Sequence, residues 1–209
     1  EYYFKSIGLV SGGVFYKRIN DIIVDQTLRN YTWNGNVYTK FVQPRNSGNA
    51  DLLGVEVALQ RDFAFITPSL RCLGLYANYT YSYSRVRNFN VEGRENEKGL
   101  RMPGSPEHTA NASLFFEKWG FNARLSYNFA SAFIDELGSE AFYDRYYDKV
   151  NYLDLNVSYT FGRQFKTTIY AEAVNLLNQP LRYYQGISSR TMQSEHYGVR
   201  FNAGVKIKL

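Results

Sequence analysis

The side chains best suited to recognise a ligand lie in three stretches of this 209-residue chain where aromatic residues gather, in two of them beside arginines. Tyr31, Trp33, Tyr38 and Phe41 form the first; Phe142, Tyr143, Arg145, Tyr146, Tyr147 and Asp148 the second; Arg182, Tyr183, Tyr184 and Gln185 the third. Aromatic faces beside guanidinium groups suit stacking on a ring and charge-assisted pairing with an anion, as a sugar, haem or iron-chelate ligand would require. From these stretches Tyr31, Trp33, Tyr38, Tyr143, Arg145, Tyr147, Arg182 and Tyr184 are the expected ligand contacts. The competing description is an interfacial aromatic girdle with ordinary loop packing.

Covalent chemistry has weaker support. Ser105 and His108 are neighbours in a Pro-containing stretch, but a catalytic triad is defined by geometry and not by sequence proximity. No catalytic residue and no enzyme activity are expected. Glu92, Glu95 and Glu97 could bind calcium, yet their spacing lacks the turn-forming glycine and ligand pattern of a calcium loop. The single Cys72 has no partner for an internal disulfide or a thiolate site. Neither a metal nor a cofactor is expected.

The bulk composition narrows the setting. Tyr 19, Phe 15 and Trp 2 make 17% of the chain aromatic, and such residues favour strands and collect at membrane interfaces. The net charge of +5 is dispersed, whereas a nucleic-acid partner requires a basic patch; none is expected. Mean hydropathy is -0.40 and no apolar run approaches a helical span, which excludes a transmembrane helix. A barrel wall stays possible, because alternating apolar and polar residues average out.

The elements that would hold these residues show a period of two. Val199, Phe201, Ala203, Val205, Ile207 and Leu209 alternate with Arg200, Asn202, Gly204, Lys206 and Lys208. Similar alternation runs through Leu53–Leu59, Leu75–Tyr83, Ala110–Phe116, Phe121–Phe129 and Leu153–Phe161. Several segments reach about ten residues, enough to cross a bilayer when tilted, against about five or six for soluble strands. On the polar side, Arg124, Glu172, Arg200, Lys206 and Lys208 are expected to face a lumen, because a basic residue at the lipid midplane costs about 2–4 kcal/mol.

Connections alternate between short and long. Lys5 to Gly8, Lys118 to Gly120, Gly162 to Gln164 and a looser stretch from Phe65 to Ser69 read as turns. Residues 25–50, 86–106, 135–149 and 181–196 read as long polar loops. Asn175 to Pro180 reads as a strand end, because proline cannot continue a paired strand. Short periplasmic turns opposite long extracellular loops are the pattern of outer-membrane barrels. The expected fold is all-β, an antiparallel up-and-down transmembrane barrel segment of about nine strands. Bacterial single-chain barrels close with even numbers, so the remaining strands are expected elsewhere in a longer protein, with Glu1 an interior position.

Three segments carry a family resemblance. Met102, Pro103, Gly104, Ser105, Pro106, Glu107 and His108, followed by Asn111, Leu114 and Phe116, resemble the loop-to-strand motif of TonB-dependent outer-membrane receptors. Val174, Asn175, Leu176, Leu177, Asn178, Gln179 and Pro180 resemble that family's segment near the top of the penultimate strand. Tyr197, Gly198, Val199, Arg200 and Phe201 with Gly204 resemble its terminal strand, although Leu209 stands where such barrels usually end on an aromatic residue.

The resemblance implies that residues 1–209 are the C-terminal part of a larger barrel, 22-stranded and plugged by an N-terminal domain absent from this sequence. It implies TonB-coupled uptake of siderophore-iron, haem, cobalamin or glycan across a bacterial outer membrane. The implied partners are the rest of the barrel, the plug, outer-membrane lipid and lipopolysaccharide, TonB through the missing N-terminal part, and the barrel-assembly machinery through the last strand. The alternatives are a passive channel or structural barrel, and a soluble β-rich binding module.

Overall fold

The computed structural model describes residues 2–4, 8–91 and 93–208. The turn expected from Lys5, Glu92 of the acidic cluster, and Leu209 fall outside them. The strands are β1 (Tyr2–Phe4), β2 (Gly8–Ile19), β3 (Ile23–Trp33), β4 (Asn36–Asn46), β5 (Asn49–Asp62), β6 (Leu73–Arg87), β7 (His108–Lys118), β8 (Phe121–Ala130), β9 (Phe133–Glu136), β10 (Arg145–Tyr147), β11 (Val150–Phe161), β12 (Lys166–Val174), β13 (Leu181–Gln185), β14 (Thr191–Glu195) and β15 (Arg200–Lys208). Two short 3-10 turns, Pro68–Cys72 and Ala141–Tyr143, are the only helical elements among the described residues.

Nine strands form one open antiparallel meander in the order β1-β2-β5-β6-β7-β8-β11-β12-β15. The other six lie outside this wall, in a β3–β4 hairpin and a four-stranded sheet ordered β14-β13-β10-β9. From β2 onward the wall strands run from 9 to 15 residues, long enough to cross a bilayer at a tilt. Their tight connections gather at one end, as in the β7–β8 hairpin, where Trp119 (φ 53°) and Gly120 (φ 79°) adopt the left-handed pair of a type I′ turn.

The register brings the alternating segments onto a common face. Leu53 lies between Tyr16 and Tyr83, Leu114 between Leu75 and Leu125, Leu155 between Leu125 and Ala173, and Ala171 between Val157 and Ala203. A slip of one residue in any strand would invert its side chains. The shared face remains uncovered: Val14, Leu53, Val57, Ile169, Phe201 and Val205 are exposed. Phe116, Phe121, Tyr159 and Phe161 fringe it at the tight-turn end, and Tyr16, Tyr79, Tyr81 and Tyr83 at the other.

On the opposite face, one arrangement occurs three times. Phe15 faces Gly54, Phe115 faces Gly74, and Tyr170 faces Gly204 across the ladder. A Cβ at any of these glycines would collide with the ring, and the rings in turn cover glycines that supply no side chain of their own. Lys17, Arg124 and Lys206 lie 5.6, 5.7 and 4.9 Å from the respective ring centroids.

The buried core sits at the long-loop end of the wall and beyond it. Ile22, Val24, Ala50, Val86, Phe89, Val91, Leu100, Ile134 and Leu137 form it. Three loops thus fold together over one rim.

Candidate ligand-binding surface

The β3–β4 hairpin turns at Asn34 (φ 48°) and Gly35 (φ 79°), the Asn-Gly pair that a two-residue turn favours. That turn sets the whole register, pairing Tyr31 with Tyr38 and Arg29 with Lys40. The hairpin meets the loop sheet through a parallel bridge between Gln26 and Leu137. Glu136 is the junction: its Oε1 accepts from Thr27 Oγ1 at 2.6 Å and lies 3.4 Å from Lys40 Nζ, while Oε2 lies 2.9 Å from Arg145 Nη1. Burial pushes the Glu136 carboxyl up, but the Thr27 hydrogen bond and the charges of Arg145 and Lys40 outweigh it and hold it below the usual carboxylate range.

Between hairpin and sheet opens a cleft lined by Thr27, Arg29, Lys40, Glu136, Tyr143 and Arg145, among others. The Arg29 guanidinium lies 4.4 Å from the Tyr143 ring centroid. Arg145 Nε donates to Asp135 Oδ2 at 2.7 Å, so one of the cations is already committed, whereas Lys40 is largely exposed. Such a cleft can take an anion that also presents a flat or apolar face.

The structure brings Tyr143 and Arg145 together here and places the other expected contacts elsewhere. Tyr31 stacks on Phe41 at 4.4 Å and 15°, Tyr38 lies 6.4 Å from the same ring, and Trp33 is exposed beside the hairpin turn. Tyr147 packs between Phe133 and Tyr183. Tyr184 is buried and stacks on Tyr146 at 5.0 Å. Arg182 pairs with Asp148 at 2.5 Å. Arg29, Lys40 and Glu136 were not singled out by composition, but the Asn34-Gly35 turn would have placed Arg29 opposite Lys40, a like-charge pair that is destabilising unless an anion compensates.

A second junction centres on a buried Arg94–Asp144 pair. Arg94, on the loop after β6, is 3% exposed. It donates from Nη2 to Asp144 Oδ2 at 2.9 Å and Glu97 Oε1 at 2.8 Å, and from Nη1 to the Gly138 carbonyl at 3.0 Å. Burial opposes its charge, yet the hydrogen bonds it donates to the Glu97 and Asp144 carboxylates prevail and its pKa is raised.

With this geometry in place, the sequence matches the family model described as TonB dependent receptor-like, beta-barrel, over residues 1–176. The chain belongs to the TonB-dependent receptor-like β-barrel family. A comparison with curated proteins returns no match. Among solved structures, the ferric citrate transporter FecA in its unliganded form aligns with a TM-score of 0.65 at 18% identity, over 98% of this chain and 29% of that one. The ferric yersiniabactin uptake receptor FyuA from Yersinia pestis aligns at 0.60 and 17% identity, over 98% of this chain and 27% of that one. The chain therefore spans under a third of either structure, and at these identities the likeness is one of fold.

Within a TonB-dependent receptor-like barrel the two faces of the meander acquire names, lipid-facing for the apolar face and lumenal for the other. The lumenal cavity is lined by Arg124, Glu172 and Lys206 together with Phe115 and Tyr170, as the alternation anticipates. Arg200 lines a separate cavity nearer the long loops, with Asp154 and Asn175. The Asn175 strand end closes on itself, its Oδ1 accepting the Gln179 N–H at 2.8 Å. His108 Nδ1 bonds the Tyr79 hydroxyl at 2.7 Å, a partner unlike the carboxylate that orients a catalytic histidine. Glu97 is committed to Arg94.

Proposed function

We propose that residues 1–209 form the C-terminal part of the wall of an outer-membrane receptor, completed by further strands and an N-terminal plug, that imports a scarce ligand in a TonB-coupled cycle. The reading rests on family membership and on the chain's coverage of less than a third of either aligned receptor structure. Within it we propose an anionic iron chelate as the cargo, ahead of haem, cobalamin or glycan. One observation carries this choice: Arg29, Lys40 and Arg145 come from two loops to line one rim cleft, with the Arg29 guanidinium against the Tyr143 ring.

The test uses the full-length receptor in cells. Strains carrying it, lacking it, or carrying it without TonB are grown on ferric hydroxamate, catecholate and carboxylate chelates, haem, cobalamin and oligosaccharides. The expected result is saturable growth support by one class of ferric chelate that needs both receptor and TonB, and weaker binding in an Arg29→Gln, Lys40→Gln variant. Uptake that is linear in concentration and indifferent to TonB would instead identify a passive channel.

A further inference from the structure

The rim cleft is too small for a whole chelate. It holds about 80 Å³, room for two or three waters at about 30 Å³ each, whereas a site enclosing a drug-sized ligand takes about 300–1,000 Å³. A carboxylate-sized group fits, and the body of a chelate must stay outside, against exposed lining such as Met192. The charges around this volume are unequally matched. Arg145 faces Asp135 through Nε and Nη2 and Glu136 through Nη1, and Lys40 lies beside the same Glu136 carboxylate. Arg29 has no carboxylate partner among the described residues; its guanidinium rests on the Tyr143 ring. Three cations therefore share two acids, and the charge left over is that of Arg29.

Glu136 is the side chain that sets this balance. Its bond from Thr27 and its contacts with Lys40 and Arg145 need only an acceptor oxygen, which a glutamine amide would also supply. What the carboxylate adds is charge inside the cleft, where it neutralises Lys40 and part of Arg145 before any ligand arrives. A docking carboxylate is then drawn chiefly to Arg29, which donates to it. A second anionic group entering beside the first would meet Glu136 at close range, and like charges set against each other in a binding site repel strongly. Glu136 is largely out of solvent, so salt and water screen that repulsion little.

We propose that Glu136 is a specificity-determining residue of the receptor: it limits the group docked in the rim cleft to a single carboxylate and disfavours chelates that present two adjacent anionic groups there. The proposal rests on the iron-chelate reading of that cleft. Its test uses the full-length receptor in outer-membrane vesicles, with retained radioiron as the readout. The probes are ferric trihydroxamate and ferric tris-catechol scaffolds, each ending in a neutral amide, in one carboxylate or in two adjacent carboxylates. On a scaffold that binds, wild type should retain the one-carboxylate form at least about tenfold better than either of the other forms. Glu136→Gln should raise the two-carboxylate form to at least the level of the one-carboxylate form, a reversal that general loosening of the cleft would not produce. Arg29→Gln, which leaves Glu136 in place, should bring the one-carboxylate form down to the level of the amide, and it decides the matter if Glu136→Gln does not fold. An unchanged order of preference in Glu136→Gln, a one-carboxylate form indifferent to Arg29→Gln, or no preference for that form in wild type would overturn the charge filter while leaving the iron-chelate reading intact. Retention of neither scaffold in any form would remove both.

Discussion

The wall and the loop assembly above it solve opposite solvation problems with the same secondary structure. In the wall, leucines, valines and aromatics such as Leu53, Val57, Phe201 and Val205 are exposed, and the wall strands reach the core cluster only at their loop ends, through Ala50 and Val86. In the loops, Ile22, Val91 and Leu137 are buried to 7% or less alongside the Arg94–Asp144 pair. The contrast teaches that the wall depends on an apolar solvent outside it, whereas the loops carry a core of the kind found in water-soluble domains. Substitutions in one region should therefore leave the other largely intact.

The largest expected effect is in the loops. Asp144→Ala leaves the Arg94 charge buried with one carboxylate fewer, and breaking such a pair costs about 3–5 kcal/mol. Hydrogen exchange on the full-length receptor should show the loop strands β9, β10 and β13 losing protection while β8 and β11 keep theirs. Equal loss in both would erase the distinction between the two regions.

The complementary change in the wall is Leu125→Arg, which places a cation on the lipid-facing side at a cost of about 2–4 kcal/mol near the midplane. Urea titration in vesicles should show a lower unfolding midpoint, with loop exchange unchanged. A midpoint equal to wild type would mean that Leu125 does not meet lipid.

Smaller effects sharpen the comparison within the loops. The Glu136 carboxyl is held below its ordinary range, so the stability it lends is fully present above the unfolded value of about 4.3 and is lost as pH falls through the lower folded value. Acid should loosen the hairpin from the loop sheet, as followed by fluorescence of a probe on β4, and Glu136→Gln should flatten that dependence. Smallest of all, Trp33→Ala at the exposed hairpin turn should shift stability by under about 0.5 kcal/mol, which equilibrium unfolding would register as no change.

How much of this could be read without coordinates follows the same division. Strand identity, alternation and facing were legible in the wall, because a period of two over nine or more residues leaves little freedom of register; Phe115 and Glu117 fall on the lumenal side as the pattern requires. The loop assembly was not legible, because its contacts join residues far apart in the chain, such as Gln26 with Leu137 and Arg94 with Asp144, and no local pattern announces such partners. Tyr184 was expected to meet a ligand. In the run Arg182, Tyr183, Tyr184 both faces of a short strand are aromatic, so alternation cannot tell which ring turns inward against Tyr146.

The central claim, that one face of the meander meets lipid and the other a lumen, is tested most directly at two adjacent residues of β8. Single cysteines replace Leu125 or Arg124 in the full-length receptor, within a Cys72→Ser background, and are labelled in intact outer membranes. The cysteine at 125 should react with a lipid-partitioning reagent and resist a charged maleimide, and the cysteine at 124 should do the reverse. The opposite pattern would contradict the assignment of the two faces.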